Sequence, residues 1–287
     1  MGTDTKRRVL ITGGAGKLGR IAAQHLRETD RWDVIATDVV QTDGVHYADL
    51  TGPVEQWSHL ATGVDCVVHC AGHRGPATSW DEAIALNLDL SMRLMLQARQ
   101  SGIRRFVFIS SNWVMAGHRF GSEPLSPGLT PEPINPYGMS KLAIERLGVS
   151  MAALGDFEFV ALRVGMAVTD PGLSDRLTST RRWSQHMFLS SRDFCNGVER
   201  ALEAPLQGAV ILNLMSDNPG MRWDIRRTIE AIGYRPQDGH TPDVSDALER
   251  AEMELSHLNE QRREYVRLLT AGSDVRLPGH ESAAHEL

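Results

Sequence analysis

Short runs of β-branched and apolar residues alternate with helix-periodic segments through the first two thirds of the chain. The runs are Val9 to Thr12, Asp33 to Thr37, Val64 to Cys70, Phe106 to Ser110, Phe157 to Val164 and Ala209 to Leu214. Helical patterns lie between them at Gly19 to Glu28, Val54 to Ala61, Ser79 to Gln100 and Pro136 to Ala153. Strands that read as near-continuous apolar runs are buried on both faces, and strands joined through helices run parallel. The pattern therefore predicts an α/β fold, a doubly wound parallel sheet with helices on both sides. Pro124, Pro127, Pro131 and Pro133 crowd the stretch from Gly117 to Asn135, which predicts a long loop beside the site.

After Gly165 the alternation lapses. A polar stretch from Thr169 to Arg182, carrying Arg176, Arg181 and Arg182, reads as a small substrate-side lobe. Residues 1–165 are expected to form a cofactor-binding core, and 166–240 the lobe interleaved with the core's last strand. Ser190 to Ala204 and Trp223 to Ile232 are expected helices, the second stopped by Gly233 and Pro236. In 241–287, Leu248, Ala251, Leu255, Leu258, Tyr265 and Leu269 form a narrow apolar seam over Val244 to Ala271. This extra C-terminal helix is a candidate to dock on the body or to make a homo-oligomer, and the segment from Gly272 is expected to be a mobile tail.

Thirty Lys and Arg against 36 Asp and Glu give a net charge of −6, without the basic excess that nucleic acid or an anionic membrane surface requires. No apolar run approaches the roughly 20 residues of a membrane span, and Met1 to Arg8 lacks a signal-type apolar core. A cytoplasmic protein is expected, with Cys66, Cys70 and Cys195 reduced. His73, His118 and His186 lack metal-site spacing, so no metal is expected.

Thr12-Gly13-Gly14-Ala15-Gly16-Lys17-Leu18-Gly19 closes the first strand and opens the first helix. Glycines at 13, 16 and 19 permit a tight turn and let a pyrophosphate approach the free N–H groups of the helix N-terminus, near Lys17 and Leu18. Asp38 ends the second strand 19 residues after Gly19, where a carboxylate accepts hydrogen bonds from an adenosine ribose. With no Arg or Lys in Val39 to Asp43, that acid favours NAD over NADP. Taken singly, a plain tight turn and a solvated Asp explain these features as well. Asp49 and Leu50 are placed to approach the adenine, Ala71 and Gly72 to line the cofactor, and Asn87 to order a link towards Lys141. Together the features predict a dinucleotide-binding fold of the Rossmann type.

Asn135-Pro136-Tyr137-Gly138-Met139-Ser140-Lys141 begins a helix with an N-cap Asn and a first-turn Pro, so Tyr137 and Lys141 share one face. A nearby ammonium favours the ionised phenol, and Ser111, at the end of the fifth strand, is placed to hold a substrate oxygen. A packed ring beside a solvated amine is the alternative for the Tyr and Lys taken alone. The glycine loop, Asp38 and Ser110-Ser111 turn the balance towards proton transfer paired with hydride transfer.

The Gly-x-x-Gly-x-x-Gly loop and Tyr-x-x-x-Lys pattern resemble the extended short-chain dehydrogenase/reductase family, the likeness running from Arg8 to Pro236. The resemblance implies that Ser111, Tyr137 and Lys141 are the catalytic triad and that Lys141 also holds the nicotinamide ribose. Within that family the chain is most similar to the uronate dehydrogenases, at Ser110-Ser111-Asn112, Arg163-Val164-Gly165, Asp193-Phe194, Glu199 to Leu202, Ser216-Asp217-Asn218, Trp223-Asp224 and Gly233-Tyr234-Arg235-Pro236. These oxidise a hexuronate at C1 to an aldarolactone with NAD. Two departures stand out: Trp113 occupies a position where the likeness expects His, and Met166-Ala167 replaces small hydroxyl residues. Ser111, Asn112, Trp113 and Met166 are expected to face the sugar, and Arg181, Arg182 or Arg74 to grip a carboxylate, with a solvated surface role competing for each arginine. A nucleotide-sugar epimerase or dehydratase that retains NAD is the alternative enzyme. The roughly 120 residues after Gly165 offer little room for its nucleotide lobe. A non-catalytic dinucleotide sensor is the alternative from another class; it would need the glycine loop and Asp38 but not the triad.

Overall fold

Seven parallel strands form the central sheet in the order β3-β2-β1-β4-β5-β6-β9. They are β1 (Arg7–Thr12), β2 (Trp32–Asp38), β3 (Val45–Tyr47), β4 (Cys66–His69), β5 (Arg105–Ser111), β6 (Glu158–Val164) and β9 (Ala209–Leu214). The computed structural model describes residues 6–73, 75, 77–168 and 181–270, without the side chains of 259, 261–263 and 265–270. Strand order reverses between β1 and β4, and the crevice outside the carboxyl ends of these strands is where such sheets bind ligands.

Alternation along each strand feeds two apolar layers. Val9, Ile11, Val68, Val107, Ile109, Val160 and Leu162 point into one. Leu10, Val67, Phe106, Phe108 and Phe159 point into the other. Both faces are covered, which is why the middle of each strand is mostly apolar. The first layer is closed by α1 (Lys17–Glu28), through Ala22, Ala23 and Leu26, and by the helix Ser191–Glu203, through Phe194, Val198 and Leu202. The second is closed by α2 (Val54–Trp57) and its following 3₁₀ turn, by the helix Leu90–Gln100, and by the helix Pro136–Ala152.

The helical pattern expected from Ser79 to Gln100 is present but uneven. A capping box between Ser79 and Glu82 starts α3 (Trp80–Glu82), a π-helical stretch runs over Ala83–Asp89, and α4 (Leu90–Gln100) completes it. Wider turns of this kind recur at functional sites; here the stretch carries Asn87, only 1 % exposed. Asn135 caps α5 (Pro136–Ala152) by accepting the Gly138 N–H at 2.8 Å, as the sequence predicts.

Beyond Gly165 the chain forms features that the sequence pattern does not show. A second, two-stranded parallel sheet joins β7 (Met166–Val168) to β8 (Phe188–Ser190), with α6 (Arg182–Gln185) just before β8. After α7 (Ser191–Glu203) and β9, the helix expected from Trp223 begins only at Arg226, as α8 (Arg226–Ile232). Trp223 is instead bridged to Leu125, which buries both side chains and keeps the chain extended. Gly233, at φ 67°, stops α8 in the left-handed conformation of a C-terminal glycine. The chain divides into a compact unit, Met1–Pro242, and a second, Asp243–Leu287. In the second, α9 (Asp246–Thr270) is a single helix. The expected mobile tail from Gly272 lies outside the described residues. Among the described residues no helix is long and apolar enough to cross a membrane.

Candidate active site

At the end of β1 the backbone turns through Gly13, whose φ of +71° favours glycine and where a Cβ would lie 2.7 Å from the Ala71 nitrogen. Gly19 packs still closer, since a Cβ there would sit 2.1 Å from the Gly13 carbonyl oxygen. The helix start is thereby pulled onto the strand end. Gly16 is the N-cap of α1, without a side-chain cap and with no acid in the first turn. The first N–H groups of α1 thus face outward as an anion cradle. Lys17 is exposed beside it and Leu18 half-buried.

Asp38, half-buried at the end of β2, accepts the Ala15 N–H at 3.1 Å and the Val40 N–H at 3.0 Å. These bonds tie the glycine loop to the carboxylate and orient it at the mouth of the cradle. The cradle and its acid fit a dinucleotide whose ribose offers hydroxyls. Asp49 spends one carboxylate oxygen on its own turn, on the Thr51 N–H at 2.9 Å and hydroxyl at 2.6 Å, which holds its carboxyl below the usual range. Leu50 is buried in the core, 5 % exposed, while Ala71 and Gly72 are half-buried after β4.

Ser111 and Tyr137 are brought together, joined by a side-chain hydrogen bond. Ser111 also caps the 3₁₀ turn Asn112–His118, accepting the Trp113 N–H at 3.2 Å. Burial pushes the Tyr137 phenol above its ordinary value, and the Ser111 bond offsets part of that rise. One turn on, Lys141 is 5 % exposed. Its Nζ donates to the Ile109 carbonyl at 3.0 Å, lies 4.8 Å from the Phe108 ring centroid and 5.7 Å from that of Tyr137. Burial lowers its pKa to about 8, against the pull of Cys70 and Glu145. The ammonium therefore reaches the phenol's face while its hydrogen bond goes to the strand.

Asn87 bridges two elements. Its Oδ1 accepts the His73 N–H at 2.7 Å and its Nδ2 donates to Ser140 Oγ at 3.0 Å. Ser140 in turn donates to the Tyr137 carbonyl at 2.8 Å. The link runs from the loop after β4 to the first turn of α5, not to the Lys141 side chain.

Two buried groups behind Ser111, Tyr137 and Lys141 were not singled out from sequence. His69 bonds Thr12 Oγ1 at 2.7 Å and Ser91 Oγ at 2.8 Å through its two ring nitrogens; burial, helped by Lys141, pushes its pKa down to about 3 and keeps it neutral. Glu145 accepts the Ser110 hydroxyl at 2.6 Å and both Nε and Nη2 of Arg163, at 2.9 and 2.7 Å. The signal for Glu145 was present in the helical period, since 137, 141 and 145 share one face.

On the substrate side, Trp113 is half-buried and Met166 lies half-buried on β7. Asn112 turns its amide inward, donating to the Val164 carbonyl at 3.0 Å. Arg181 is the half-buried N-cap of α6 and Arg182 is exposed on its first turn. Arg74 lies outside the described residues, as does Arg176. Arg222 crosses this region, donating to the carbonyls of His118, Arg119 and Glu123 at 3.0–3.1 Å and so pinning the proline-rich loop.

A model of the NAD dependent epimerase/dehydratase family matches residues 9–171. An L-arabinose 1-dehydrogenase (NAD(P)(+)) of Haloferax volcanii is 29% identical over 257 residues, covering 80% of this chain and 96% of its own. A uronate dehydrogenase of Pseudomonas syringae pv. tomato is 27% identical over 248 residues, covering 80% and 82%. Among solved structures, a glucuronic acid dehydrogenase of Chromohalobacter salexigens superposes with a TM-score of 0.71 at 25% identity, covering 87% of this chain and 89% of its own.

Proposed function

Because the chain belongs to the NAD dependent epimerase/dehydratase family, we propose that it oxidises a sugar at its anomeric carbon, converting a hexuronate to the aldarolactone with Tyr137 as proton acceptor. The chain is an NAD-dependent oxidoreductase acting on a sugar CH–OH group. NAD, when bound, supplies the hydride acceptor. The glycine cradle and Asp38 would hold its pyrophosphate and adenosine ribose, and Lys141 its nicotinamide ribose.

The observation that carries this reading is the convergence of Ser111, Tyr137 and Lys141, with Lys141 Nζ 5.7 Å from the Tyr137 ring centroid and the Ser111 side chain acting on the phenol. Ser111 fixes and polarises the hydroxyl to be oxidised. Tyr137 takes the hydroxyl proton as the carbon is oxidised, and Lys141 stabilises the phenolate form of Tyr137 that does so. Arg181 and Arg182, at the start of α6, are the described arginines that would meet a carboxylate. A second reading, a neutral aldose, draws support from Trp113 and from Met166-Ala167, which leave fewer polar groups for a sugar acid, and from the arabinose-oxidising relative.

The test mixes the protein with NAD and galacturonate, glucuronate, L-arabinose or an aldose phosphate and follows reduced nicotinamide by absorbance. Turnover of the uronates is expected; turnover of L-arabinose alone would replace the hexuronate reading with the neutral one. In Tyr137→Phe, kcat should fall by about a thousandfold with NAD affinity unchanged. Equal turnover by variant and wild type would sink the catalytic assignment.

A further inference from the structure

Tyr137, Lys141 and Glu145 lie on one face of α5 at successive turns, yet only the first two belong to the reactive pattern. Glu145 is fully buried at 0 % exposure, and its partner Arg163 is 1 % exposed. Removing both charges from water is costly, and such a pair is often no more stable than apolar side chains of the same volume. A pair kept at this place therefore calls for a reason other than stability.

Its bonds supply one. Register places Ser110 of β5 opposite Arg163 of β6. Ser110 Oγ donates to Glu145 Oε1 at 2.6 Å, Arg163 donates to both carboxylate oxygens, and Arg163 Nη1 approaches the Met115 sulfur at 3.2 Å. One carboxylate thus ties together the residue beside Ser111, the neighbouring strand, and the helix that carries Tyr137 and Lys141.

The same carboxylate is also the negative charge that bears on Lys141. The titratable and charged groups around that ammonium are His69 and Cys70 from the end of β4, Tyr137 and Glu145 from its own helix, and Arg163 behind Glu145. The His69 ring is kept neutral by burial. Cys70 is a neutral thiol, pushed up to about 12 by burial. Glu145 is ion-paired with Arg163, and its carboxylate favours the ammonium.

We propose that Glu145, held by Arg163 and Ser110, is a positioning residue that keeps Lys141 an ammonium and clamps the strand end bearing Ser111 to the helix bearing Tyr137. It touches neither sugar nor cofactor and acts through Lys141. The inference rests on the dehydrogenase reading for its consequence in turnover, while the charge state of Lys141 is measurable without turnover.

The sequence makes that measurement direct, because the chain has three lysines, Lys6, Lys17 and Lys141, of which the other two are exposed. Protein labelled with ¹³C at lysine Cε is titrated by NMR in the cofactor-free state, with the Lys141 signal assigned by its loss in Lys141→Arg. In Glu145→Gln the Lys141 midpoint should fall by about one pH unit, since the charge that favours the ammonium is gone. The alkaline limb of kcat should move down with it. If Glu145→Gln fails to fold around its unpaired arginine, the double variant Glu145→Met with Arg163→Met decides alone, its midpoint falling by less, because the opposing charge of Arg163 leaves with the nearer carboxylate. A midpoint equal to wild type in the folded variants, with only the melting temperature lowered, would overturn the proposal and leave a merely structural pair. Failure of the wild type to oxidise any sugar would overturn the functional reading, and the titration would still judge Glu145.

Discussion

The two halves of the site are held by contacts of different reach. At the cofactor end the tightest approach is local, between Gly19 and the Gly13 carbonyl six residues away, although Gly13 also abuts Ala71 and Asp38 holds the Ala15 N–H. At the substrate end, close approaches and hydrogen bonds join segments far apart in the chain. A Cβ at Gly165 would lie 2.1 Å from the carbonyl oxygen of Met187. Asn218 donates to the carbonyls of His186 and Phe188 at 3.1 and 2.8 Å, and Asn213 to that of Leu125 at 2.7 Å. Local steric constraint leaves a compact motif, whereas long-range polar contact can be satisfied by many residue choices.

The largest expected effect tests the local half. In Gly19→Val the new side chain must displace the Gly13 carbonyl or push α1 away from β1, and either opens the anion cradle. NAD affinity, measured by calorimetry, should fall at least about a hundredfold, equivalent to about 3 kcal/mol. Retention of wild-type affinity would show that the cradle adapts, and the contrast between the halves would lose its basis.

A change in the distant half should act on stability instead. Asp193, fully buried, accepts the Ser216 hydroxyl at 2.6 Å and the backbone N–H groups of Gln237 and Asp238 at 2.7 and 3.1 Å. Asp193→Ala leaves those donors unpaired and removes two of the bonds that hold Gln237 and Asp238 against α7. Unfolding by denaturant should show a loss of about 3 kcal/mol, with NAD affinity preserved. A fall in NAD affinity of the same size would mean that the halves are energetically one.

This division also accounts for what was legible in the sequence. The sheet, its two covered faces and the glycine loop follow from periods of two and 3.6 and from the steric freedom of glycine, all properties of short windows. Asn135 and Pro136 announced the start of α5 for the same reason. The late start of α8 was hidden because Trp223 is claimed by Leu125, 98 residues earlier in the chain. The β7–β8 sheet was hidden because its strands are three residues each, too short for alternation to register. The helical period sets Glu145 on the face of Tyr137 and Lys141, but its burial becomes visible only when Ser110 and Arg163 are placed beside it.

Buried charge separates the halves in sign as well as in reach. At Asp193 two backbone N–H groups and a hydroxyl surround the carboxylate, so removing it costs stability. At Lys141 the Ile109 carbonyl, the Phe108 ring and Glu145 do not offset burial, which is why its pKa falls from 10.5 to about 8. The folded protein thus binds that proton less tightly than the unfolded chain does. Below pH 8 Lys141 is charged in both states and the full cost of burial is present. Between 8 and 10.5 the folded protein gives up the proton first, and the cost fades as pH rises. Lys141→Met should therefore stabilise the fold at neutral pH, by on the order of 1–3 kcal/mol, while abolishing turnover. The gain should shrink as denaturant unfolding is repeated through that window. A loss of stability at neutral pH would show that Lys141 is held as favourably as Asp193, and that the reactive end of the site carries no cost of its own.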